Sequence, residues 1–576
     1  MKEPHSEIDG VQILLRPVKL IHSIEKAMAF FASPTLIKFA ILIAAMAVIS
    51  VASYLKKRNA ETRSEKFSNF ILVCLGALAL LSYINFKPFS AQPNHWDMFH
   101  YYVGSKYFPE IGYTRLYACV VRAEAENDDP SVKTQAYRRT IRNLETNDLV
   151  PARTYFFDDT FCKARFSASR WNEFKNDVGF FRTRLAEGLW DLAQIDHGFN
   201  PSPVWILAGG FISGLVPLSD AALTGMVLID VFLMFGCAAC LFWAFGLPTA
   251  AFAVIASTVS GGVDWSWVGG GMLRLDWLFM AVLSVCAMKR GHYALAGAAL
   301  GYAATLRVFP AVFALGPFVG LLHAIYTRQH DLKVAYGKFF GGMVVSAAVL
   351  VASATAAYGG DSLRAFLDNT RKHSAVISTN NVGLRTILTY SPDTAVRKTV
   401  DAGVDEPFIY WKWEKAKTEA KQKVVPVYVV IVAISLLFFV PAVISGGAWQ
   451  SIALGATFVP FTWSELSNYY YMFLMVVATL FAANRKVAFP LLAIGMVTET
   501  GKLFEIDIDK IFILFSEQHI SNVNGTVPGI GLDEIYTIFS AAVCIGFIFV
   551  WWQVNSRALS CRKILLLFTK GKDTAA

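Results

Sequence analysis

The sequence predicts an all-α polytopic membrane protein, and three observations carry that prediction. Apolar residues make up 55% of the 576 and charged residues only 16%, against about 25% charge in a soluble chain. Apolar runs of about 18 to 22 residues recur along the chain, each long enough to cross about 30 Å of hydrocarbon as a helix. Basic residues gather beside those runs, as charge asymmetry across a bilayer requires. Together these exclude a soluble enzyme, a disordered chain and a nucleic-acid-binding domain. They also exclude an outer-membrane barrel, whose strands read as short alternating segments. The net charge of +9 is therefore read as topology, with membrane lipids and not nucleic acid as surroundings.

The first 30 residues carry Lys2, Arg16, Lys19, Glu25 and Lys26 and lack the clean apolar core of a cleavable signal. Crossings are then expected at 34–54, 67–86, 203–217, 221–245, 271–288, 292–306, 310–327, 339–357, 424–445, 449–463, 468–483, 487–500 and 533–552, about 13 in all. A shorter run at 248–262 is read as a partial or tilted insertion. Lys56, Lys57, Arg58, Arg63 and Lys66, then Lys289 and Arg290, Arg328 and Lys333, Arg485 and Lys486, and the tail from Arg557 can all face the cytoplasm at once. That orientation puts two large polar segments, 87–200 and 359–423, together on the outer face of a plasma (inner) membrane. Parity then places the N-terminus outside. The chain divides into an N-terminal segment with an extra helix (1–66), a core with the first outer loop (67–358), the second outer loop (359–423) and C-terminal helices with a basic tail (424–576).

The first outer segment is polar yet rich in aromatics, including Tyr101, Tyr102, Tyr107, Phe108, Trp171 and Phe174, which suggests a folded cap. It holds Cys119 and Cys162, the two cysteines well outside apolar runs and a disulfide candidate in an oxidising compartment. Cys237 and Cys240 form a C-x-x-C inside an apolar helix and are read as packing residues. No internal repeat is evident, which argues against an inverted-repeat transporter.

Asp97 falls some ten residues beyond the second apolar run, beside His95, Trp96, His100, Tyr101 and Tyr102. A carboxylate there can take a proton from an acceptor hydroxyl; the plainer reading is a cap for a helix starting at Met98. Asp97-Met-Phe-His-Tyr101-Tyr102, Ser105-Lys106-Tyr107 and Gly112-Tyr113-Thr114-Arg115-Leu116-Tyr117 together resemble the first outer-loop motif of the GT-C glycosyltransferases. More narrowly they resemble glycosyltransferase family 87, the polyprenyl-phosphate-mannose-dependent enzymes. Asn200-Pro201-Ser202-Pro203, the stretch from Gly297 through Gly301 and Arg307 to Pro310, and Phe461 to Tyr470 resemble later motifs in the same order. The resemblance covers roughly 67–485. The chain departs from it in having Arg307 for a lysine, Gly269-Gly270-Gly271-Met272-Leu273-Arg274-Leu275-Asp276 for a G-Q-x-N loop, and no histidine in the late motif.

The resemblance implies a GT-C-type bundle and an enzyme that moves a sugar from a polyprenyl-phosphate donor to a lipid or glycan acceptor, with Asp97 as general base. Arg307 in an apolar setting calls for an anionic partner, and a lipid phosphate suits a guanidinium. Snorkelling, or pairing with an aspartate, is the structural alternative. Arg274 can pair with Asp276 or hold a ligand. Arg371, Lys372, His373 and Arg385 form a basic patch in the second outer segment, where His373 can assist the leaving phosphate. Lys106, Asn381, Trp463 and Glu465 are further pocket candidates, and Asn380 to Arg385 resembles an N-x-S-x-x-G-like stretch of the family. Neither a cofactor nor a divalent metal is expected. A transporter or lipid flippase, for which Asp230 is the chief mid-span charge, and an envelope scaffold are the competing classes.

Overall fold

Length decides which apolar runs become full spanning helices. The computed structural model describes residues 34–57, 61–84, 92–260, 265–399, 410–503 and 531–556. The N-terminal orientation, Arg58 of the first basic connector and the tail from Arg557 lie outside the described residues. Among the described residues, seven helices are long and apolar enough to cross a bilayer: Thr35–Leu55, Glu65–Tyr83, Asp220–Phe245, Phe309–Tyr326, His330–Tyr358, Val425–Ser445 and Leu532–Asn555. Each matches an expected crossing, and the chain is an all-α membrane protein.

The other six expected crossings are shorter or interrupted. Pro203–Leu215, Asp276–Lys289, Tyr293–Leu306 and Ala488–Leu503 have 13, 14, 14 and 16 residues. The runs at 449–463 and 468–483 break into short α and 3-10 turns. The run at 248–262 forms a helix Leu247–Thr258 of 12 residues, only about 18 Å long and buried from Thr249 onward. Irregular backbone at membrane depth is tolerated where protein surrounds it, and these breaks are enclosed by the longer helices.

Local chemistry explains several boundaries. In Asn200-Pro201-Ser202-Pro203, the Ser202 hydroxyl accepts from Trp205 N–H at 3.2 Å and Pro203 occupies the first helical turn, the preferred start of a helix. Gly297 and Gly301 let Tyr293–Leu306 lie directly on His330–Tyr358: a Cβ on either would collide with the carbonyls of Phe339 and Met343. Small residues four apart commonly bring membrane helices this close.

The first polar segment folds as a helical cap with Tyr107, Tyr117, Phe174, Phe181 and Trp190 inside. Residues 140–142 and 149–151 pair antiparallel at its edge. Arg139 and Glu124 form a buried ion pair, and Trp190 Nε1 also donates to Glu124 at 2.9 Å. Cys119 and Cys162 are joined by a disulfide across 43 residues. The second polar segment packs on the first: Asn369 donates to the Phe199 carbonyl at 3.3 Å and Lys372 to that of Leu144. Both segments therefore cover the same end of the bundle.

Closing a loop of this length restricts the unfolded chain by about 4 kcal/mol in the chain-entropy account. Cys119→Ser is accordingly expected to lower the cap's melting temperature and expose the region around 150–167 to protease. Near-UV circular dichroism and limited proteolysis, with and without reductant, measure this. Identical melting of variant and wild type would assign the bridge no stabilising role.

Candidate active site

The candidate site begins with Asn94. Its side-chain oxygen accepts the N–H groups of Trp96 and Asp97 at 3.1 and 3.3 Å, capping a short helix His95–Met98. The helix cap is thus Asn94 and not Asp97, which leaves the Asp97 carboxylate for other contacts. Asn94 N–H in turn donates to Gly270 O at 2.9 Å. Gly270 has φ +81°, and a Cβ there would lie 2.6 Å from Asn94 N, so glycine is required where the two loops touch.

The loop after Gly270 is held from two further sides. Asp230, inside Asp220–Phe245, accepts the N–H groups of Arg274 and Leu275 at 2.9 and 3.0 Å. Trp205 Nε1 donates to Leu273 O at 3.1 Å. Leu273 itself has φ +50°, a conformation costly for a side chain with a Cβ and kept only where surrounding bonds over-determine it. Asp230 is therefore a structural anchor for this loop.

The anchored loop presents Arg274. Its guanidinium lies 3.7 Å from the Asp97 carboxylate, with side-chain exposures of 9% and 20%. It also lies 4.8 Å over the Tyr101 ring and 5.5 Å over that of Tyr469. The expected Arg274–Asp276 pair does not form: Arg274 turns to Asp97, and Asp276 has Arg307 as its main charged neighbour. Arg307 sits just past the end of Tyr293–Leu306. Tyr470, Tyr101, Arg274 and Asp276 surround it electrostatically. Arg307 Nε and Asp276 Oδ2 are buried without a hydrogen-bond partner among the described residues. Asp97, Arg274 and Arg307 are thus all charged neighbours of Tyr101.

A second set of predicted residues adjoins this cluster. Residues 381–382 pair antiparallel with 466–467, and Asn380 Nδ2 donates to Asn468 at 2.9 Å. This ladder joins the Asn380–Arg385 stretch to the segment bearing Tyr469 and Tyr470. Asn381 lies in the ladder. Arg385 stacks 4.7 Å over Tyr428, with its Nε buried and without a hydrogen-bond partner among the described residues. Glu465 pairs with Lys421 at 2.9 Å, and Trp463 is exposed.

Several expected pocket residues lie elsewhere. His100 is buried, with Nδ1 2.8 Å from Trp96 O and Nε2 2.8 Å from the Tyr117 hydroxyl and 3.1 Å from Ala193 O. Both ring nitrogens are engaged in holding the cap. Lys106 is buried against Asp177 at 2.7 Å and Glu173 at 2.8 Å, and donates to the Tyr102 hydroxyl at 3.1 Å; this consumes Lys106 and Tyr102 inside the cap. His95 neighbours Asp220 and Arg184, and burial lowers its pKa. Trp96 Nε1 donates to Asp196 at 3.0 Å. Arg371 is exposed and pairs with Asp368 at 2.9 Å.

His373 packs edge-on against His197 with ring centres 5.9 Å apart. Burial, then the His197 neighbour, push its pKa down to about 4; burial and Arg142 hold His197 at about 4 as well. Both rings are neutral at pH 7, so His373 brings no positive charge to a phosphate. Between the unfolded value of about 6.5 and this folded value the unfolded chain binds more protons. Stability is therefore full above pH 6.5 and falls as pH drops toward 4, by at most about 1.4 kcal/mol per pH unit per ring. Asp196 opposes this effect, and Lys372 and Arg142 reinforce it. Thermal melts from pH 7.5 to 4.5 should show a shallower decline for His373→Gln than for wild type; equal slopes would refute the assignment.

Sequence reasoning missed Asn94, Asp196 and the anchoring role of Asp230. Asn94, three residues before Asp97 and ahead of a polar-aromatic run, carried a capping signal; the long-range partners of the other two left no local one. The chain matches no family model, no curated protein and no solved structure.

Proposed function

We propose that this protein is an integral-membrane glycosyltransferase of GT-C type, with about 13 crossings counting the short helices. In this reading the capped end faces the periplasm or exterior of a plasma membrane. The donor is a sugar on a polyprenyl phosphate and the acceptor a lipid or glycan hydroxyl. The observation that carries it is the cluster itself. A carboxylate, Asp97, shares a buried site with two guanidiniums, Arg274 and Arg307, and with Tyr101. Arg274 faces Asp97 and Arg307 has Asp276 as a charged neighbour, and Arg307 Nε, buried without a hydrogen-bond partner among the described residues, is a donor that a lipid phosphate would take.

The chemistry needs few parts. The phosphate already activates the sugar as its leaving group. Asp97 takes the proton of the acceptor hydroxyl as that oxygen attacks the anomeric carbon. The bond from that carbon to the phosphate oxygen breaks, and its electron pair leaves with the lipid phosphate, whose charge Arg307 and Arg274 stabilise. One displacement inverts the anomeric centre. Tyr101, Tyr469 and Tyr470 supply ring faces and hydroxyls around the sugar.

The test is reconstitution of the purified protein into liposomes with a panel of radiolabelled polyprenyl-phosphate sugars and a membrane-lipid and glycan extract as acceptor. Label passing from one donor to the extract, with inverted anomeric configuration, is the expected result. No transfer from any donor would overturn the enzyme reading.

A further inference from the structure

The two polar segments enclose a cleft of about 430 Å³, a size common to small-molecule sites. One wall, from the first segment, carries Arg142, Asp148 and His197; the other, from the second, carries Lys372, Trp411 and Glu414. Its charged side chains are of both signs, two cations and two carboxylates. Arg142 and Glu414 face each other electrostatically across the gap. Arg142 is fixed by donating to the carbonyls of Ile195 and Asn147 at 2.7 and 2.8 Å, and Lys372 by donating to that of Leu144. His197 is neutral at pH 7, and with Nδ1 held 3.0 Å from Asn147 Oδ1 it leaves Nε2 to a ligand. Trp411 is 44% exposed.

This combination selects a ligand class. A carbohydrate hydroxyl donates to a carboxylate while accepting from a guanidinium or ammonium, so a polyol satisfies both signs at once. The C–H face of a pyranose covers an indole ring, and Leu149, Val376 and Ile377 add apolar lining beside the charged groups. One wall of the cleft is bonded to the helix that bears the candidate base: His197 follows Asp196, which accepts from Trp96 Nε1 at 3.0 Å, and Trp96 precedes Asp97 in the chain. We propose that the cleft binds a carbohydrate chain, making the acceptor of the transfer a glycan whose end reaches the Asp97 site. This rests on the glycosyltransferase reading for the word acceptor, and on the cleft alone for the binding.

The experiment measures binding apart from turnover. Full-length protein in lipid nanodiscs is titrated with maltohexaose, cellohexaose, α-1,6-mannohexaose and chitohexaose by calorimetry. At least one is expected to bind saturably. Trp411→Ala and Glu414→Gln are each expected to weaken that binding tenfold or more, and Trp411→Phe less than threefold. Thermal melting of the cap checks that each variant is folded, and the conservative Trp411→Phe keeps the comparison open if Trp411→Ala is not. Binding of none of the four, or binding indifferent to Trp411 and Glu414, overturns the cleft. Cleft-dependent binding with no sugar transfer from any lipid donor leaves the cleft standing and removes the enzyme reading. Transfer to a glycan with unchanged kinetics in Trp411→Ala and Glu414→Gln removes the cleft and leaves the enzyme.

Discussion

Asp97→Asn is expected to slow sugar transfer by about 10²–10⁴-fold, the usual contribution of a positioned general base, with little change in donor affinity. The substitution keeps size and shape and leaves the Asp97 backbone N–H bonded to Asn94. What it removes is the negative charge 3.7 Å from Arg274 and the capacity to accept a proton. Single-turnover rates with preloaded donor isolate the chemical step, and competition by polyprenyl phosphate reports donor binding. A carboxylate serving only to neutralise Arg274 predicts a different pattern. Transfer would then persist near the wild-type rate, the melting temperature would fall, and Asp97→Asn with Arg274→Leu would restore it. Asp97→Glu divides the readings further: a base tolerates a displaced carboxylate poorly, because about 1 Å of misplacement costs of order 10²-fold, whereas a charge partner tolerates it well.

The long spanning helices were legible because hydrocarbon thickness imposes a length, and seven runs meet it without help from neighbours. The short ones were not. Asp276–Lys289 starts where it does because Asp230, more than forty residues away in sequence, holds the N–H groups of Arg274 and Leu275. A reading of local periodicity sees only a charge in an apolar run. The same limit applies within the motif around Asp97. Its polar residues mark a special place in the sequence, yet His100 and Lys106 are spent on Tyr117 and Asp177 inside the cap, while Tyr101 on the same stretch faces Arg274. Which face of a short helix meets the site depends on what packs behind it, and here that is the helix Ala168–Arg184, some seventy residues on. Arg307 was legible as a costly charge that needs a partner. Its neighbour Tyr470 lies in the Phe461–Tyr470 stretch but carries no charge to mark it.

Arg307→Gln should then be the second large effect, and it should fall on the donor. A guanidinium holding a phosphate through charge-assisted bonds contributes about 1.5–3 kcal/mol, so the donor KM and the inhibition constant of polyprenyl phosphate are expected to rise together by about 10- to 150-fold. The chemical step slows as well, because charge grows on the leaving phosphate in the transition state. Arg307→Lys should recover part of the affinity, since it restores the charge but not the planar fork. The competing role is structural: Arg307 is the main charged neighbour of buried Asp276, and its removal strands that carboxylate. Arg307→Gln with Asp276→Asn removes both charges and settles which role dominates. If Arg307 only balances Asp276, the double variant recovers wild-type stability and donor affinity together. If it holds the phosphate, stability returns while the affinity for polyprenyl phosphate stays low. Arg274, engaged with Asp97 and Tyr101, then carries the phosphate alone, and the residual binding should become less sensitive to salt than in a site with two guanidiniums around one anion.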